Sequence, residues 1–124
     1  MMLIVDAHED IAWNMLTFGR DYNLSAAEIR LREKGSLAVQ QNEDTLLGWP
    51  EYQRGRVGLI FATLFAAPIR RYEGKWDTLI YRDFDEAHRH YRSQVDVYRR
   101  LSDDNPSRFR LVMNLNDMTG VLEG

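Results

Sequence analysis

The chain has 124 residues, of which 44% are hydrophobic and 28% are charged, and its formal net charge is −3 at pH 7. This length suits one domain or part of a larger one, with enough apolar residues for a core. The negative charge argues against general nucleic-acid binding, and the absence of cysteine excludes disulfides, thiolate metal ligands and cysteine nucleophiles.

The N-terminal residues predict a strand followed by a helix. Met2–Val5 is a continuous apolar run that predicts a buried strand, and an acidic, histidine-bearing turn follows at residues 6–10. Ile11–Phe18 carries apolar residues at helical spacing, and Gly19 is suited to end that helix.

Two further helix starts are indicated before residue 60. Ser25 and Glu28 form a capping-box pattern at the start of a second helix. Residues 30–44 are polar and weakly periodic, which predicts a long, mobile connection. Residues 49–55 predict a short helix, with Pro50 in its first turn and a glycine stop at its end.

The second half of the chain predicts a strand and then the clearest helix. Residues 57–66 are apolar on both alternating faces, as expected of a strand buried in a parallel sheet, and Pro68 ends the strand. Residues 83–101 predict a helix, because apolar residues recur at spacings of three and four. The predicted buried stripe consists of Phe84, Ala87, His88, Tyr91, Val95, Tyr98 and Leu101.

A third strand and a last helix complete the predicted order. Residues 109–115 alternate apolar and polar, which predicts a half-buried strand, and Asn116 or Asp117 is suited to cap a helix beginning at Met118. Strands that alternate with helices predict an α/β fold with parallel strands and right-handed crossovers. In such folds the functional site lies beyond the carboxyl ends of the strands.

His8 and Asp10 lie at that place. Side chains alternate along a strand, so these two are expected to point to the same side and to reach one divalent cation together. An acidic residue after a strand also commonly caps the next helix, and a single histidine there is often structural. The spacing alone supports the metal-binding and structural interpretations about equally.

The segment Asp6–Trp13, with the sequence DAHEDIAW, resembles the DGHNDLPW signature of the renal (membrane) dipeptidase family of zinc metallopeptidases. Residues 52–58, YQRGRVG, resemble that family's LREGGVG, and the long helix followed by residues 108–112 fits its layout. The resemblance covers this chain in outline, but only the N-terminal third of a family member.

The resemblance implies a (β/α)8 TIM-type barrel that hydrolyses dipeptides with a metal-bound water. His8 and Asp10 would be ligands of a two-zinc centre, and Trp13 would lie near the substrate mouth. This sequence departs from the signature at Ala7, Glu9 and Ala12 without losing a ligand. We expect Glu9 to point away from the metal and to act as a helix-start acid.

The remaining ligands of the family are a bridging glutamate and two histidines on later strands. No histidine follows His90 in this sequence. We expect His88 to be a packed core residue and His90 to be solvated. Glu123 superficially matches the bridging glutamate, but it follows the predicted third strand too closely for a crossover helix.

We therefore expect residues 1–124 to form a single partial domain, equivalent to the first two to three β/α units of such a barrel. A complete barrel needs about 250 residues, so we expect the chain alone to be inactive. Uncovered strand edges favour association, which predicts a homo-oligomer. Two alternatives remain: a non-catalytic α/β domain that acts in assembly, and another amidohydrolase-like metal-dependent hydrolase.

The sequence also indicates where the protein acts. No apolar run approaches the length of a membrane span, and the N-terminus lacks the length and basic leader of a signal peptide. We expect a cytoplasmic protein without membrane association, and the lack of cysteine fits a reducing compartment.

Overall fold

The computed structural model, which describes residues 2–123, combines helices with short parallel strands. No helix in this range is long and apolar enough to cross a membrane. In chain order the elements are β1 (Ile4–Glu9), α1 (Ile11–Phe18), α2 (Ala26–Glu33), α3 (Leu37–Asn42), α4 (Trp49–Gly55), β2 (Val57–Ala62), β3 (Ala67–Pro68), β4 (Ile80–Tyr81), α5 (Phe84–Asp104) and α6 (Leu115–Glu123). A 3₁₀ turn at Ile69–Arg71 separates β3 from β4.

Local signals place the first helices correctly. Gly19 follows α1 in the left-handed conformation, with a φ of 68°, which glycine adopts without steric cost. Ser25 caps α2, and both hydrogen bonds of its capping box with Glu28 are present. α4 occupies the predicted residues, but the left-handed residue after it is Arg56, with a φ of 56°, so the predicted glycine stop at Gly55 is wrong.

The predicted mobile connection at residues 30–44 is wrong, because α2 continues to Glu33 and α3 follows it. A buried ion pair links this segment to the end of α1: Arg20 Nε lies 2.9 Å from Glu33 Oε1. Arg20 also donates to the carbonyl oxygen of Glu43 at 3.0 Å. Glu33, one of the charged residues that suggested a solvated loop, therefore pairs with Arg20 near the end of α1. Local periodicity cannot reveal such a pairing.

Two parallel strand pairs replace the longer sheet that the sequence predicts. β1 pairs with β2, and β3 pairs with β4. The strand predicted over residues 57–66 ends at Ala62, so that boundary is wrong. The backbone of Phe65 bonds instead to the fully buried side chain of Gln94, which accepts from its N–H at 2.8 Å and donates to its carbonyl at 2.6 Å.

The predicted third strand is also wrong, because residues 109–114 form no strand. The N–H of Leu111 donates to Ser102 Oγ at 2.9 Å, so this backbone is satisfied by the end of α5. The next helix, α6, begins at Leu115 rather than Met118, and Asn114 caps it by accepting from the N–H of Asp117 at 3.0 Å. An alternating pattern alone does not make a strand without a paired neighbour.

The long helix α5 forms where predicted, but its buried face is different. Gln94, Val97, Tyr98 and Leu101 are buried. Phe84, by contrast, is 93% exposed. His88 is exposed, so its predicted core position is wrong, and half-buried His90 has Nε2 2.8 Å from the carbonyl oxygen of Ile80, so its predicted solvation is wrong. The helix packs against both α1 and β4, and its buried residues Val97, Tyr98 and Leu101 cluster with α1.

The main core lies between α1, α4 and the C-terminal half of α5. Val57 and Ile60 of β2, with Phe109 and Leu111, pack against it. This arrangement packs α1 against both α5 and β2. The buried cluster contains Ile11, Ala12, Tyr22, Tyr52, Val97, Tyr98 and Leu101.

Candidate functional site

His8 and Asp10 come together at the carboxyl end of β1. His8 Nε2 lies 3.4 Å from Asp10 Oδ2, and the His8 side chain is 68% exposed. His8 is still within β1, whereas Asp10 is the residue that precedes α1. The two side chains that the sequence selected therefore share one accessible position at the end of a parallel strand.

This geometry suits two donors of one metal ion. Zinc binds histidine nitrogen and carboxylate oxygen at about 2.0–2.2 Å, and tetrahedral geometry then separates the donors by about 3.4 Å. The pair matches that separation. Within residues 2–123, however, no third histidine, aspartate or glutamate joins them in a metal-binding group. The described residues therefore offer two donor atoms that one ion could bind together.

The end of β1 is irregular. Asp6 pairs with Ile60 and Glu9 pairs with Ala62, so three residue steps along β1 oppose two along β2. The N–H of His8 donates to Asp6 Oδ1 at 3.0 Å across this irregularity. Such an extra residue, a β-bulge, changes the direction of the side chains around it. Simple alternation along the strand therefore does not describe residues 6–10.

Glu9 is the residue whose role the sequence missed. It forms no cap on α1; instead its Oε2 accepts a hydrogen bond from the hydroxyl of Tyr52. Burial raises the pKa of the Glu9 carboxyl to about 7, with a smaller upward contribution from the carboxylate of Asp6 and an opposing one from the Tyr52 hydrogen bond. The prediction of a helix-start acid is wrong, and Glu9 is a half-buried carboxyl beside the candidate ligands.

The Asp10 carboxylate is held by the end of β2. Thr63 Oγ1 donates to Asp10 Oδ1 at 2.5 Å, which leaves Oδ2 facing His8. The backbone carbonyl of Asp10 accepts from Asn14 Nδ2 at 3.0 Å. A strand-end threonine carries no recognisable sequence signal, so Thr63 could not be selected from the sequence.

Trp13 belongs to a half-buried aromatic cluster on the α1 side of this site. Its ring centroid lies 5.4 Å from that of Phe18, 5.9 Å from Phe65 and 6.5 Å from Trp76, each in an edge-to-face arrangement. The indole Nε1 is buried and has no hydrogen-bond partner among residues 2–123. Trp13 therefore packs against other aromatic rings, three positions after Asp10 in the sequence.

Two cavities of the described structure have walls that do not include His8. A cavity of about 330 Å³ lies between the end of α1, α2 and α3, with the Arg20–Glu33 pair in its wall. Another, of about 200 Å³, is lined by Glu9, Tyr22, Asn42 and residues 44–47. Neither contains Asp10 or Trp13 in its wall, and the exposed His8 side chain places the candidate metal position at the surface.

The other residues weighed for the site do not join it. His90 contacts β4, and Glu123 lies exposed in the last helix. Comparison of the chain with protein-family models, with curated proteins and with solved structures found no match. The functional interpretation therefore depends on the motif residues and on their geometry.

Proposed function

We propose that this chain is the N-terminal part of a zinc-dependent dipeptidase of the renal dipeptidase type, with His8 and Asp10 as its first-strand metal ligands. The observation that carries the proposal is the 3.4 Å separation of His8 Nε2 and Asp10 Oδ2. It occurs at the carboxyl end of a parallel strand, where barrel enzymes place their catalytic residues.

The proposed chemistry is metal-assisted hydrolysis of a dipeptide. When bound, the metal centre would activate a water and polarise the scissile carbonyl. In this chain, His8 and Asp10 would each offer one donor atom to the metal. Trp13 and its aromatic neighbours would form one side of the substrate mouth. The two ligands fall short of the three or four that zinc sites usually have, so we expect the chain alone to show little or no activity.

Exposed strands support the proposal of a larger barrel. Within residues 2–123, β1 and β2 pair only with each other, so each of these two strands has one edge without a partner. Ile4 and Val5 on β1 are 47% and 55% exposed, and Phe61 on β2 is 59% exposed. Additional parallel strands of a barrel would pair with these edges and cover these side chains.

Cobalt binding tests the proposed ligands. Co²⁺ prefers ligands similar to those of zinc, and its unpaired electrons shift nearby nuclear magnetic resonances. We expect a titration of the 124-residue chain with Co²⁺ to shift the His8 and Asp10 resonances first. His8→Ala and Asp10→Ala should each remove that response, whereas His88→Ala, at an exposed histidine on α5, should preserve it. An equal response in His8→Ala would refute the proposed metal role.

The coding sequence downstream of residue 124 tests the dipeptidase assignment. If the reading frame continues, we expect a glutamate at one later strand end and histidines at two others. A continuation that carries different strand-end ligands would favour another amidohydrolase-like hydrolase instead.

Assembly without catalysis is the second candidate, and the same exposed apolar strands favour it. An edge of this kind can pair with a second copy of the chain. Sedimentation over a range of concentrations distinguishes the candidates. A tight dimer without His8-dependent cobalt binding would support assembly, whereas a stable monomer would argue against both assembly and an uncovered barrel fragment.

A further inference from the structure

Thr63, one residue beyond β2, connects the two strand ends at the candidate site. Its N–H donates to the carbonyl oxygen of Glu9 at 2.9 Å, continuing the β1–β2 pairing. Its hydroxyl lies 2.9 Å from that same carbonyl and 2.5 Å from Asp10 Oδ1. A hydroxyl has one proton to donate, and the carboxylate is the stronger acceptor, so the proton goes to Asp10.

The backbone of Thr63 is itself fixed from α5. The hydroxyl of Tyr98 donates to the Thr63 carbonyl at 2.7 Å and accepts from the N–H of Ala12 at 3.1 Å. Tyr98 and Ala12 both belong to the buried core. The position of Thr63 relative to the turn before α1 is therefore set by packing, and not by the flexible end of a strand.

We propose that Thr63 is a positioning residue that holds the Asp10 carboxylate with Oδ2 turned toward His8. Its hydrogen bond engages Oδ1, and the remaining oxygen is the one 3.4 Å from His8 Nε2. Without that bond, the carboxylate is free to rotate about its terminal torsion, which has broad preferences. This inference rests on the proposed metal role of His8 and Asp10 and extends it to a residue outside the ligand motif.

Cobalt affinity of Thr63 variants tests the inference. Thr63→Val removes the hydroxyl with little change in shape, and we expect it to weaken His8-dependent Co²⁺ binding by about tenfold or more, as loss of an outer-shell partner commonly does. Thr63→Ser keeps the hydroxyl and should retain most of the affinity. Thr78→Val, the same change at an exposed threonine, is the matched control and should leave the affinity unchanged.

A readout without metal separates positioning from a general loss of structure. Thr63→Val should change the His8 imidazole resonances of the metal-free chain, because the released Asp10 carboxylate turns away from His8, and in an Asp10→Ala background it should change them no further. Amide spectra without metal establish that each variant is folded. Should Thr63→Val fail to fold, Thr63→Ala compared with Thr63→Ser at reduced temperature makes the same comparison.

The outcomes distinguish this inference from the proposed function. Unchanged cobalt affinity in folded Thr63→Val, with His8-dependent binding intact, would overturn the role of Thr63 alone. A further change of the His8 resonances when Thr63→Val is added to Asp10→Ala would also overturn it. If the unaltered chain shows no His8-dependent cobalt binding, the proposed metal site and the inference built on it both fail.

Discussion

The hydroxyl of Tyr52 donates a hydrogen bond to the carboxyl of Glu9. Tyr52 lies on α4 and is almost fully buried, whereas Glu9 ends β1 beside the candidate ligands. The bond joins the helix that leads into β2 to the site end of β1. It also brings an ionisable group into the protein interior, with Glu9 Oε1 buried and lacking a partner among residues 2–123.

This burial predicts a pH dependence of folding stability. The pKa of Glu9 is about 7 in the folded chain, against an ordinary value of 4.5. The folded state therefore holds the Glu9 proton more tightly than the unfolded state does. The resulting stabilisation is complete below pH 4.5 and is lost as the pH rises through about 7. We expect Glu9→Gln, which stays neutral, to exceed the unaltered chain in unfolding free energy at pH 8 and to match it more closely at pH 4.5.

Urea unfolding at both pH values checks this expectation. Glu73→Gln is the control, because Glu73 is exposed and its carboxyl should affect stability little at either pH. An equal pH dependence in Glu9→Gln and the unaltered chain would show that Glu9 is not the group responsible.

The buried pair of Arg20 and Glu33 predicts a large loss of stability when one partner is removed. We expect Glu33→Gln to lower the unfolding free energy by about 3 kcal/mol, because it leaves the Arg20 charge buried without its anion. Replacing both residues with methionine should cost less than the sum of the single replacements. Asp96→Asn breaks the exposed pair with Arg99 and should cost less than about 1 kcal/mol. Chemical denaturation of Glu33→Gln, the two single methionine variants, the double methionine variant and Asp96→Asn measures these differences.

The hydroxyl of Tyr98 predicts a second, independent stability effect. Tyr98→Phe leaves the N–H of Ala12, a residue with no exposed surface, without its acceptor. A buried unsatisfied donor costs about 1–3 kcal/mol, and we expect a loss in that range. Tyr91→Phe, on the exposed face of α5, should change stability by less than about 0.5 kcal/mol. Equal thermal midpoints for the two variants would contradict the bridging role of Tyr98.

Replacing two of the glycines with alanine should change folding stability in opposite directions. A Cβ on Gly48 would lie 1.8 Å from the carbonyl oxygen of Leu24, a backbone atom. We expect Gly48→Ala to lose about 2 kcal/mol or more, since the chain before α4 must move. Gly120, in α6, has open space at the same position, so Gly120→Ala should gain about 0.5–1 kcal/mol. Thermal unfolding of both variants measures the contrast, and a neutral Gly48→Ala would refute the close approach.

Elements with local signals could be predicted from the amino-acid sequence. The spacing of apolar residues and Gly19 define α1, and the Ser25 capping box defines the start of α2. The sequence also indicated the His8–Asp10 pair, because the two residues are only two positions apart at the end of a strand. Each of these signals depends on residues within a few positions of one another.

Features that depend on partners far away in the sequence could be seen only in the folded chain. Glu33 pairs with Arg20, and Gln94 satisfies the backbone of Phe65 where a longer strand was predicted. Residues 109–114 have a strand-like pattern, but the N–H of Leu111 bonds to Ser102 of α5 and that of Met113 bonds to Asp117 of α6. Burial and hydrogen-bond partners are set by which elements pack together, and no short-range pattern encodes that choice. Glu9 and Thr63 were missed for the same reason: Glu9 bonds to Tyr52 and Thr63 bonds to Asp10, and both bonds join distant parts of the sequence.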